Sequence, residues 1–158
     1  MTRNLPNAHR RGFSLIEVLI ALIVLSVGML GIAGLYVHSM QAGRTSLFRH
    51  HAVTLAGDVA DRIRANPNAG AAYVDTGPGA GTDANGCVGG GTDCTREEMA
   101  AHDMYLWDRQ ALATLPQGDV TVSYNNGVPS MYTVIVTWQE AGYDVDPSYA
   151  ISFPVFEM

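Results

Sequence analysis

The sequence contains no lysine, and all nine of its basic residues are arginine. Fifteen acidic residues leave a net charge of -6. An acidic chain of this kind argues against nucleic acid as a partner, because that binding needs a basic face. Cysteine is nearly absent, with only Cys87 and Cys94. Two thiols do not make a zinc site, and His102 is the only further ligand nearby. No proline interrupts the stretch from Phe13 to Tyr36. Catalytic patterns are missing too. There is no His-Glu-x-x-His, no glycine loop ending in Gly-Lys-Ser/Thr, and no serine in a nucleophile-elbow context. The expectation is a protein that is not an enzyme and needs no cofactor.

What is present starts with a basic segment ending at Gly12 and an apolar run from Phe13 to Tyr36. At about 1.5 Å per helical residue the run reaches roughly 36 Å, enough for about 30 Å of hydrocarbon. Its one charge is Glu17. A carboxylate buried unpaired in lipid costs roughly 2.5 kcal/mol or more, so a plain anchor leaves Glu17 unexplained. A secretory signal would be shorter and would close on a small-residue cleavage site, which Gly31-Ile32-Ala33-Gly34-Leu35-Tyr36 does not supply. A third reading places the cut before the run, between Gly12 and Phe13.

The stretch Gly12-Phe13-Ser14-Leu15-Ile16-Glu17-Val18 has a Gly, an aromatic residue and a Glu at the fifth position after that junction. It resembles the processing motif of type IV pilins. The resemblance implies a leader, residues 1–12, removed by a prepilin peptidase, and methylation of the new N-terminus at Phe13. It also implies that Glu17 pairs with the N-terminal amine of a neighbouring subunit. Two charges that are each costly in lipid would then neutralise one another on docking. Arg3, Arg10 and Arg11 lie in the leader, which has no acid. The positive-inside rule therefore independently puts the N-terminus in the cytoplasm and the residues after about Tyr36 outside. Loss of the three arginines would leave six against fifteen acids, a net charge of -9.

Beyond the membrane segment, 13–36, helical spacing continues over 37–66. Leu47, the Val53-Thr54-Leu55 group, Val59 and Ile63 read as its apolar face. Arg44, Arg49, Asp58, Asp61, Arg62 and Arg64 read as its polar face, with Asp58 and Arg62 an i,i+4 pair. Asn66-Pro67 stops the helix. Residues 67–94, rich in Gly, Ala and Asp, read as an irregular loop. Cys87 and Cys94 within it are expected to form one disulfide in an oxidising compartment, with two free thiols as the alternative.

A second helix is expected over 95–115. Thr95-Arg96-Glu97-Glu98 is a capping-box pattern, and Ala100, Met104, Trp107, Ala111 and Leu115 form one stripe. Residues 119–156 read as three antiparallel strands. Asn125-Asn126-Gly127 supplies turn residues, and Pro154 argues for an edge position. The whole head is 67–158, and the expected class is α+β in the type IV pilin arrangement: a long N-terminal helix on a small antiparallel sheet. Glu98 with His102, and Asp144 with Asp146, are too few ligands for a metal. His38, His50 and His51 read as surface or packing residues.

Two blocks narrow the resemblance. Ala60 to Pro67, and His102-Asp103-Met104-Tyr105-Leu106-Trp107 continuing to Gly118, are similar to PilV-type minor pilins. Implied partners are other minor and major pilins, the inner-membrane assembly platform, the prepilin peptidase and a tip adhesin. The implied location is the inner membrane with a periplasmic head, then the pilus. A type II secretion pseudopilin and a pilus-displayed adhesive head stay open as alternatives.

Overall fold

The computed structural model describes residues 12–74, 81, 86–87 and 93–156. The leader expected at 1–12 lies outside them, Gly12 excepted, as does most of the Gly-rich stretch. The chain divides into two units, Met1–Gly43 and Arg44–Met158.

Helix α1 covers Leu15–Ala65. In the first unit every described residue is exposed, including the whole apolar run. The helix is long and apolar enough to cross a membrane. Ser26 does not break this character. Its hydroxyl donates to the Ile23 carbonyl at 2.9 Å, so its polar group is satisfied within the helix.

In the second unit α1 buries Ala52, Ala56 and Ala60 along one i,i+4 row and Leu55, Val59 and Ile63 along the next. This corrects the apolar face read from spacing, because Leu47 and Val53 are exposed. Arg62 keeps its expected i,i+4 partner Asp58 and also reaches Asp103.

Asn66-Pro67 ends α1 as expected, but the next segment is ordered rather than an irregular loop. Pro67–Tyr73 forms two 3₁₀ turns that meet at Gly70, φ 54°. Only glycine takes that conformation cheaply. Tyr73 is fully buried and makes an edge-on contact with Tyr132 and a stacked one with Trp107. The loop reading fails here because Gly and Ala carry little periodic signal.

Helix α2, Arg96–Thr114, has the full capping box: Thr95 Oγ1 accepts from Glu98 N, and Glu98 accepts from Thr95 N at 2.8 Å. All five residues of its expected stripe are buried. Strands β1 (Asp119–Asn125), β2 (Ser130–Thr137) and β3 (Ser148–Val155) form one antiparallel sheet in the order β1-β2-β3. Tyr132, Val134 and Val136 point into the core, and Trp138, just past β2, continues the alternation. The β1–β2 reversal uses no positive φ at Asn125, Asn126 or Gly127 and includes a cis Val128–Pro129 bond. Pro154 lies on an edge strand, as its chemistry requires.

Candidate functional site

The residues singled out by the processing motif sit at the start of α1. Gly12, Phe13 and Ser14 precede the helix. The Ser14 carbonyl accepts from Glu17 N at 3.1 Å and from Val18 N at 3.3 Å, which starts the helical ladder. Glu17 therefore occupies the first turn, where the positive end of the helix dipole favours a carboxylate. Phe13, Glu17, Ala21 and Leu25 follow one another at four-residue steps and, with Val18 and Leu22, line one shallow groove. The single acid of the run thus shares a helix face with Phe13 and opens onto a purely apolar strip. Phe13 is 84% exposed. A side chain at Gly28, Gly31 or Gly34 would meet nothing within 4 Å, so these glycines serve no contact within the chain.

The second unit is organised around a polar network that spacing alone does not reveal. Asp103, on α2, is buried. Its Oδ1 accepts from Arg62 Nη1 at 2.9 Å and its Oδ2 from the Tyr73 hydroxyl at 2.9 Å. Arg62 Nε also donates to Asp58 Oδ2 at 3.0 Å. Asn66 Nδ2 donates to the Tyr73 oxygen at 3.2 Å and to the Arg96 carbonyl at 2.9 Å. Burial pushes the Tyr73 hydroxyl well above the usual tyrosine range; Asn66 opposes this, and the Asp103 charge adds to it. Burial alone would lower the Arg62 guanidinium, but Asp103 and Asp58 outweigh it and hold it above its ordinary value. The Asp58–Arg62 pair of this network is legible as an i,i+4 spacing, whereas Asp103 shows only as an aspartate beside Met104 in an otherwise apolar stripe.

Further ties complete the unit. Thr45 donates to Glu140, whose second oxygen accepts from Trp138 Nε1 at 3.5 Å. Cys87 and Cys94 are joined as a disulfide. Gly81 packs so closely on α2 that a side chain there would run into the Tyr105 amide. Glu98 is occupied by the Thr95 cap rather than turned to a ligand. Asp144 and Asp146 are exposed loop residues.

Two families match the chain. Residues 7–33 match the prokaryotic N-terminal methylation motif, which contains Gly12, Phe13 and Glu17 and most of the apolar run. Residues 34–105 match the Tt1218-like family, described as type IV pilin Tt1218. This is a type IV pilin-like protein. Curated proteins and solved structures yield no match. The two matched stretches cover α1, the 3₁₀ turns and the first half of α2; the sheet lies beyond them. A pilin is a structural, non-enzymatic subunit that assembles with other pilins, and its methylation motif is the substrate of prepilin peptidase. The exposed apolar half of α1 is the membrane anchor and assembly element such a pilin requires.

Proposed function

We propose that this pilin is a minor pilin of the PilV type, which helps to prime pilus assembly and to present a tip adhesin. Prepilin peptidase cuts between Gly12 and Phe13 and methylates Phe13. The chain first sits in the inner membrane with its N-terminus cytoplasmic, residues 13–36 in the bilayer, and its head periplasmic. Glu17 then docks on the Phe13 amine of a neighbouring pilin. The observation that carries this reading is the lone carboxylate of Glu17, which lines one exposed and otherwise apolar strip with Phe13 at the start of α1. In lipid such a carboxylate is costly without a cation, and a methylated amine supplies one. The Arg3, Arg10 and Arg11 cluster supports the orientation.

The test is recovery of the protein from the producing cell. Mass spectrometry of sheared pili should find a trace subunit whose N-terminus is methylated Phe13. Deletion of the gene should reduce piliation and tip adhesin together. Recovery only with a secretion pseudopilus, or normal piliation in the deletion strain, overturns the proposal.

A further inference from the structure

The sheet is guarded on one edge and bare on the other. Helix α2 and the 3₁₀ turns pack against β1. Among the described residues nothing pairs with the outer edge of β3. Natural edge strands are usually blunted by charges, prolines or bulges. Ser148–Val155 carries no charge, and Pro154, second from its end, is the only blunting residue.

The ground beneath that edge is unfinished. Tyr149 and Ile151 face the core but are only partly buried. The Arg64 guanidinium lies 4.6 Å from the centre of the Phe153 ring, which marks the side of α1 that β3 covers. Val53 lies eleven residues before Arg64, three helical turns, and so on the same side. It is 45% exposed. Tyr149 and Ile151 thus leave an apolar shelf along β3, and Val53 carries exposed apolar surface on the same side of α1 as Arg64. Arg49 lies one turn before Val53, so α1 carries arginines at 49 and 64 on either side of it, in an otherwise acidic chain. The Arg64–Asp61 pair is exposed at both ends and holds little.

We propose that the free edge of β3 receives a strand from a different pilin subunit, as an antiparallel or parallel fourth strand. Its inward residues cover Tyr149, Ile151 and Val53, and acidic residues near its ends face Arg49 and Arg64. A second copy of this chain is the poorer occupant, because β3 against β3 sets arginine shelves near one another. Backbone pairing supplies the affinity in strand addition, and the shelf and its charges supply the selection. The inference rests on the pilin reading and adds a contact within the heads to the helix contacts.

The experiment places the photo-crosslinking residue p-benzoylphenylalanine at Ala150 of the full chain in producing cells. Thr121, in the same row of the sheet on β1, is the control position. Crosslinked peptides identified by mass spectrometry should come from another protein with a pilin methylation motif, about tenfold more from 150 than from 121. Val53→Lys should lower that yield about tenfold while the purified protein keeps its melting temperature. Crosslinks to the chain itself overturn the choice of occupant. No crosslink from 150 in pili that contain the subunit overturns strand addition. Absence of the subunit from pili would instead count against the minor-pilin reading, so the two failures are distinct.

Discussion

Arg62 of α1 donates to Asp103 of α2 at 2.9 Å, and the same carboxylate takes the Tyr73 hydroxyl on its other oxygen. One acid thereby ties together the spine helix, the turns after it and the second helix. Removing Asp103 leaves the buried Tyr73 hydroxyl without its acceptor and takes one of two carboxylate partners from the half-exposed Arg62. Asp103→Ala should destabilise the protein by about 3 kcal/mol. Thermal unfolding followed by circular dichroism measures this. Asp61→Ala, which removes an exposed partner of Arg64, should cost less than about 0.5 kcal/mol in the same assay.

Tyr73 gives a pH dependence whose sign is fixed. Its folded-state pKa is raised, so between the unfolded value near 10 and the higher folded value the native state keeps a proton that the unfolded state has lost. Stability from this group is present below about pH 10 and falls as pH rises further. Denaturant midpoints from pH 8 upward should therefore drop more steeply in the native protein than in Tyr73→Phe. Equal slopes would show that Tyr73 does not control the alkaline limb.

Gly81 and Gly28 have opposite surroundings. Gly81→Ala should destabilise the head by about 2 kcal/mol, because the new methyl meets helix backbone, which cannot swing aside. Gly28→Ala meets open space and should raise the helicity of α1. Melting curves of the two variants distinguish them.

The α2 cap is a smaller term. Thr95→Ala removes the acceptor for Glu98 N and should cost about 1 kcal/mol. Thr114, whose hydroxyl donates to the Gln110 carbonyl at the other end of α2, is the control; Thr114→Ala should change stability by less than about 0.5 kcal/mol.

Glu17→Ala tests docking. It should leave cleavage and membrane insertion largely intact and should deplete the subunit from sheared pili. Gly12→Val should instead leave an unprocessed precursor on a gel. Wild-type incorporation of Glu17→Ala would remove the pairing role.

Much of the fold is legible in the chain because the signals are local. Pro67 stops α1 by its own chemistry, Thr95 and Glu98 declare α2, and Tyr132, Val134 and Val136 alternate. The misses are of two physical kinds. Ala52, Ala56 and Ala60 are buried on α1, but alanine scarcely registers as apolar, so spacing credits Leu47 and Val53 with a burial they do not have. Tyr73 and Asp103 matter through partners 30 residues apart, and no window along the sequence joins them. The motif at Gly12, Phe13 and Glu17 is plain because its residues are contiguous in the chain.

The bare apolar half of α1 also sets the terms on which a subunit changes surroundings. Hydrocarbon tails and the leucines of a neighbouring helix are about equally good solvents for it. Passage from one to the other therefore yields little net hydrophobic gain and leaves the chain's own fold untouched. Lifting the subunit out of the bilayer is then close to an exchange between equals. Its direction has to be set by polar contacts and by work done from outside.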